Sequence, residues 1–367
     1  MAGGVERVLT LKANYFAEHY GYDITIILTE GKDKPLFYPL SDKINVINLD
    51  INFEELWTCS FVKKVFVYLW KQRQYKKLLS GELMRIRPDI TISLLRREIN
   101  FITSIHDGSK KIGELHINRA HYRNFEKEQS NIIKELFSDF WMRSLIWKLS
   151  RLDRLVVLTD KDKESWTELN HVIAIPNPLS FETESVSNQT EKRVIAVGRY
   201  CHEKGYDLLL RAWQIIQNAC FDWRLEIFGD GDCTIYENLM DDLHIDRNRC
   251  MLNGRTQDVQ SEYVKSSLAV CSSRFEGFGL AIVEAMACGV PVVSFDCPWG
   301  PGSIIKNGED GLLVDNGNVE ELANRILSLI NNPNERMMMS RNSIRNVQRY
   351  RIEHIAQKWR QLFDELS

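Results

Sequence analysis

Short apolar runs alternate with amphipathic stretches along nearly the whole chain. The runs at 23–29, 44–49, 89–94, 111–116, 154–158 and 172–175 read as strands, as do those at 193–197, 224–228, 268–271 and 291–295. Between them, apolar residues recur at helical spacing, for example over 206–217 and 319–330. Strands alternating with helices predict parallel sheets built from strand–helix–strand units. The series breaks at Ile175-Pro176-Asn177-Pro178 and the polar tract 182–192. Two prolines remove backbone donors and stop regular structure. The pattern therefore predicts an α/β chain of two Rossmann-like domains facing a cleft, 1–178 and 179–349. A terminal helix, 350–367, could pack back on the first. The chain's 367 residues suffice for two cores of ordinary size.

The start of the chain departs from this plan. Gly3-Gly4-Val5-Glu6-Arg7-Val8 reads as a glycine loop opening a helix that runs to about Tyr20. Such a loop normally follows the first, central strand of a Rossmann-like domain. No residues precede it that could form that strand, so the N-terminal domain is expected to lack it.

Composition sharpens the picture in three respects. Hydrophobic residues are 44% and charged residues 26%, the balance of a globular chain. The net charge of −3 argues against a general nucleic-acid binder. The charge is also uneven: from Leu56 to Arg154 the sequence holds twenty Lys/Arg and ten Asp/Glu, a net of +10, which leaves −13 for the rest. A basic N-terminal half is expected to meet something anionic. None of the eight cysteines forms a C-x-x-C pair, so free thiols, mostly buried, in a reducing compartment are expected. No signal peptide and no apolar run of bilayer-spanning length is evident, which predicts a cytoplasmic chain.

Four clusters could carry chemistry. The first is a strand, a two-glycine loop and a helix, from Arg274-Phe275-Glu276-Gly277-Phe278-Gly279-Leu280 to Gly289. A helix N-terminus offers unpaired N–H groups to phosphate or hydroxyl oxygens. Glu276 lies just ahead of the helix, and Glu284 lies within it among apolar neighbours. Paired sugar hydroxyls would satisfy either carboxylate, but a solvated loop acid and a surface helix residue explain the spacing equally well. The second is Gly198-Arg199-Tyr200-Cys201-His202-Glu203-Lys204-Gly205, whose Arg199 and Lys204 suit a diphosphate or, equally, are solvated loop charges. The third is Asp230-Gly231-Asp232, for which a turn and a helix cap are the simpler account. No His, Cys or carboxylate set has metal-ligand spacing. The fourth is the strand ending at His116, with His106 and His121 as competitors; a lone histidine is more often structural.

Together the clusters resemble the retaining glycosyltransferases of family four (glycosyl transferases group 1), which have the GT-B fold. The carrying residues are Glu276 to Glu284 within Glu-Gly-Phe-Gly-Leu-Ala-Ile-Val-Glu-Ala-Met-Ala-Cys-Gly-Val-Pro-Val-Val. Gly198-Arg199, Lys204-Gly205, Asn177-Pro178, the run from Asp296 to Gly302, Asn307-Gly308, Gly311-Leu312-Leu313-Val314 and Gly3 to Val8 add to it. The resemblance implies that Arg199 and Lys204 neutralise the donor diphosphate and that Glu284 holds the ribose. Glu276, with the backbone of Phe278, Gly279 and Leu280, would grip the sugar. Gly3 and Gly4 would approach the phosphates, His116 would contact the sugar, and the backbone near Arg255 would meet the base, most often uracil. It implies a UDP-sugar co-substrate, no further cofactor and no metal. Ser303 stands where relatives commonly carry an acid.

The basic and aromatic stretches from Phe61 to Leu79 and from Glu135 to Arg154 fit peripheral contact with an anionic membrane, or core-facing aromatics beside solvated lysines. The former predicts a glycan or lipid-linked acceptor at the inner membrane face, as in capsule or lipopolysaccharide assembly. A GT-B nucleotide-sugar epimerase and a non-catalytic nucleotide-sugar binder are the competing readings.

Overall fold

The computed structural model describes residues 3–367 except 33, 59, 118, 120–131 and 184. His121, named above, and one of the eight cysteines, Cys59, lie outside the described residues. The chain divides into two compact units, Met1–Pro178 with Ile352–Ser367, and Leu179–Arg351.

The second unit is built on six parallel strands: β7 (Arg193–Val197), β8 (Arg224–Phe228), β9 (Cys250–Asn253), β10 (Leu268–Cys271), β11 (Val292–Phe295) and β12 (Gly311–Val314). The six β7–β12 strands form a sheet of order β12-β11-β10-β7-β8-β9. Helices cover the sheet, so its strands read as continuous apolar runs. Leu209, Trp213 and Ile216 of helix Tyr206–Ala219 meet Leu322, Ile326 and Leu329 of helix Val319–Asn331 in one buried cluster. Both sets recur at helical spacing. Asn318 caps the second helix by accepting from the Glu321 amide. Truncating Ile326 to alanine in such a core costs about 2–5 kcal/mol. The strand order reverses between β7 and β10, which are paired neighbours. A crevice therefore opens at their carboxyl ends, where open α/β sheets take ligands.

The first unit holds β1 (Ile24–Leu28), β2 (Ile44–Asn48), β3 (Ile90–Ser93), β4 (Lys110–Glu114), β5 (Arg154–Val157) and β6 (Val172–Ala174). They form two parallel sheets, β1-β2 and β3-β4-β5-β6. No strand among the described residues joins β1 to β3. The opening helix runs over Gly4–Tyr15, continues as one wide turn over Phe16–Tyr20 and stops at Gly21, whose φ of +68° suits glycine. The last helix, Ile352–Leu366, buries Ile355, Trp359 and Leu362 in a cluster with Phe16, Ile112 and Val156. No helix among the described residues is long and apolar enough to cross a membrane.

Two sequence expectations change here. The strand before His116 ends at Glu114, so His116 sits two residues beyond it. Of the seven described cysteines, all free, only Cys250, Cys288 and Cys297 are fully buried.

Candidate functional site

The loops leaving β7 and β10, neighbours in the sheet, are stitched together. Gly205 adopts φ of +62°, and a side chain there would place its Cβ 2.1 Å from the Ser272 carbonyl. Only glycine permits that approach. Across the seam, Ser272 Oγ donates to the Lys204 carbonyl at 2.9 Å, and the Arg274 amide donates to the Glu203 carbonyl at 2.8 Å. The Arg274 guanidinium forks onto both carboxylate oxygens of Asp207, at 2.8 and 2.7 Å. Such a bidentate pair fixes orientation as well as charge.

This seam brings Lys204 and Glu276 together. Lys204 Nζ donates to Glu276 Oε1 at 2.6 Å, and Ser273 Oγ donates to the same oxygen at 2.7 Å. Burial works against the Lys204 charge, but Glu276 beside it prevails and raises the ammonium above its ordinary range. The pair is partly open to solvent, at 22% and 13% side-chain exposure. Behind Glu276, Gly300 packs so closely that a Cβ there would lie 2.6 Å from that of Glu276.

Helix Leu280–Ala287 starts at Gly279, whose φ is +106° and which has no side chain to cap the first amides. The ring of Phe278 is buried edge-on against Tyr350, so only its backbone is available to a ligand. Glu284 is buried within the helix and accepts from Ser180 Oγ. Arg199 and Arg255 are exposed on the loops after β7 and β9. Asp232 accepts from the amide and hydroxyl of Thr234 in a local turn ahead of helix Thr234–Asp242. Among the described residues no group of three or more His, Cys, Asp or Glu could hold a metal.

In the first unit, the Gly3 amide donates to Glu6 Oε2 at 3.1 Å, which satisfies one open donor at the start of helix Gly4–Tyr15. His116 Nε2 lies 3.3 Å from Glu114 Oε1, and the same oxygen accepts from Lys12 Nζ.

The sequence identified Lys204, Glu276 and Glu284 as separate candidates. It missed their partners Ser180 and Ser273, the Arg274–Asp207 fork and the Lys12–Glu114 pair. Ser180 and Glu284 stand 104 positions apart, and no local pattern marks such a contact.

Comparison with known proteins adds what geometry cannot. Residues 180–346 match the model of the family described as glycosyl transferases group 1. An uncharacterized glycosyltransferase of Haemophilus influenzae is 30% identical over 98% of this chain and 96% of its own. An alpha-1,4-N-acetyl-D-galactosaminyltransferase of Campylobacter jejuni, named for a GalNAc-containing acceptor on PP-undecaprenol, is 25% identical over 100% of this chain and 96% of its own. In fold, the chain resembles the Anabaena Alr3699/HepE protein solved with UDP-glucose, with a TM-score of 0.72 at 16% identity over 100% and 97% of the two chains.

Proposed function

The chain belongs to the glycosyl transferases group 1 and is a glycosyltransferase, and from that premise we propose a retaining, metal-independent transfer of a hexosyl or N-acetylhexosaminyl unit from a UDP-sugar to a glycan or lipid-linked glycan. The observation that carries this reading is the Lys204–Glu276 pair, at the carboxyl ends of the strands where the sheet order reverses. An ammonium and a carboxylate are there held for a ligand that bears both phosphate and hydroxyl groups.

In the step itself, the bond between the donor sugar C1 and the diphosphate oxygen breaks. The acceptor hydroxyl oxygen bonds to C1 on the same face, and its proton passes to the departing phosphate. No enzymic nucleophile is needed, so the protein's work is positioning and charge stabilisation. Lys204 has three N–H donors, so it can keep one on Glu276 and turn another to the diphosphate. Arg199 forks the same group. Glu276 accepts from the sugar hydroxyls, beside the amides of Phe278, Gly279 and Leu280. Glu284 exchanges its Ser180 bond for the ribose hydroxyls, and the backbone at Arg255 meets the base. The UDP-glucose complex of the Anabaena protein supports the choice of UDP, and the Campylobacter acceptor supports a lipid-linked one.

UDP release from a panel of UDP-sugars, with and without chelator, tests this reading. Turnover that survives chelator is expected. A strict Mg²⁺ or Mn²⁺ requirement overturns metal independence, and binding without release, even with a lipid-linked acceptor extract, leaves a nucleotide-sugar binder.

The acceptor side rests on helix Phe61–Ile86. Its Lys71 and Tyr75 turn inward, and Lys71 Nζ donates to the carbonyls of Ile51 and Asn52. Outward, Phe66 is 70% and Trp70 60% exposed, next to exposed Val65 and Leu69. Lys63, Arg73, Lys76 and Lys77 are exposed on the same helix. In the second stretch Trp147 is exposed, with the Arg151 guanidinium 4.9 Å from its ring centre. Apolar and basic side chains mixed in this way fit an anionic lipid surface and support a peripheral position at the inner face of the cytoplasmic membrane. Flotation with phosphatidylglycerol vesicles at low salt should recover the protein, and Trp70→Glu should weaken recovery. No flotation of the wild type sinks the membrane reading.

A further inference from the structure

Arg274 lies in the loop that carries Glu276, yet it takes no part in the transfer step described above. It grips the loop after β7 on both sides of Lys204. Its Nη1 donates to the His202 carbonyl at 2.8 Å, and its amide donates to the Glu203 carbonyl at 2.8 Å. Its fork closes on Asp207 in the first turn of helix Tyr206–Ala219. From the other side Asn316, just past β12, donates its Nδ2 to the Arg274 carbonyl at 3.1 Å. The loop of Glu276 is thus tied to residues 202, 203 and 207, and Lys204 lies between these points.

An arginine in such a place could be a phosphate ligand. Here its fork is closed within the protein. Burial works against the Asp207 charge, but the Arg274 guanidinium prevails and holds that carboxyl below its ordinary range. Both partners are therefore ionised at neutral pH, and their charges balance. Their side chains are 25% and 36% exposed, a setting in which an ion pair adds little to the stability of a fold. What the fork controls is register. The missing side chain at Gly205 lets the two loops touch, and the fork holds them from sliding past each other. A slide would carry the Lys204 backbone away from Glu276.

We infer that Asp207 and Arg274 are positioning residues for the transfer: their fork locks the two loops in the register that sets the Lys204 ammonium against Glu276 and towards the diphosphate. This rests on the reading of Lys204 and Glu276 as the donor site. Lys204 has a flexible four-carbon stem, so its ammonium still finds a bound diphosphate when the fork is open. Stabilising the charge that develops on the leaving group requires the ammonium in place beforehand, which the open fork does not provide. Loss of the fork therefore affects the chemical step more than donor binding.

The test is Arg274→Lys, which keeps the charge and removes the fork. With a UDP-sugar that the wild type turns over, kcat should fall roughly ten- to hundredfold while KM changes less than about threefold. In a Lys204→Ala background the same substitution should lower kcat by less than about twofold, because the group that the fork positions is gone. Equal losses in both backgrounds, as a merely structural role predicts, overturn the inference. So does full activity of Arg274→Lys, or a raised KM at unchanged kcat. Should Arg274→Lys fail to fold, Asp207→Asn opens the same fork from its other end with little change of shape, and the same outcomes decide. A second readout does not depend on turnover. In ¹H–¹⁵N correlation of the full chain labelled at the lysine Nζ, the Lys204 signal is assigned by its loss in Lys204→Ala. Its ammonium protons should exchange slowly with water in the wild type and about tenfold faster in either fork variant. Exchange unmoved by both variants overturns the inference. Absence of turnover with every UDP-sugar counts against the transferase reading alone, since the exchange rates still decide whether the fork sets Lys204.

Discussion

Two lysine–glutamate pairs, one in each unit, share a chemistry and differ in setting. Lys204–Glu276 bridges two loops and is reached by solvent, while Lys12–Glu114 is shut between a helix, a strand end and the Trp359 ring. A pair in contact with water can exchange partners when a ligand arrives, because either ion keeps some solvation during the change. A sealed pair cannot, because each ion left alone would be stripped of both water and counter-charge. The first arrangement suits binding and the second suits holding.

The largest effect should come from breaking the sealed pair on one side. Lys12→Met leaves the buried Glu114 carboxylate without its lysine and should cost about 3–5 kcal/mol in urea unfolding, with Lys12→Met/Glu114→Gln recovering at least half. Equal losses in the single and double variants would mean that the pair is not electrostatically coupled. Next comes the open pair, read by catalysis. Glu276→Ala or Lys204→Ala should reduce UDP release by two to three orders of magnitude, about 3–4 kcal/mol of barrier, while the circular dichroism of the fold is retained.

A pH titration separates the pairs a third way. Burial pushes the Glu114 carboxyl up, but Lys12 and His116 outweigh it and bring it from 4.5 down to about 2. Over that interval the unfolded chain binds the proton and the folded one does not. The stabilisation is therefore complete above about pH 4.5 and is lost as the pH falls towards 2, by up to roughly 3 kcal/mol. Glu114→Gln should flatten that part of the stability curve. The smallest effect is that of Lys204→Ala on stability: a partly exposed pair contributes roughly 1 kcal/mol or less to unfolding. A loss as large as that of Lys12→Met would erase the contrast between the two pairs.

Much of the plan was legible in the chain because it depends on neighbours. The apolar runs at 193–197 and 224–228 coincide with β7 and β8, and the loop–helix after Glu276 begins at glycine as its spacing implied. The strands β9 and β12, the outer strands of the sheet, went unread. On helix Phe61–Ile86, composition alone could not divide inward Lys71 and Tyr75 from outward Phe66 and Trp70.

The sequence by itself determined the strand–helix alternation, the division near Pro178 and which residues could carry charge into a site, since propensity, periodicity and turn chemistry act over a few positions. Only the tertiary structure decided that Lys204 meets Glu276 across 72 positions, Ser180 meets Glu284 across 104 and Lys12 meets Glu114 across 102. Sheet order and helix packing make those encounters, and the same packing sets how much water each pair retains, which separates a charge that can be lent to a ligand from one that can only hold its neighbour in place.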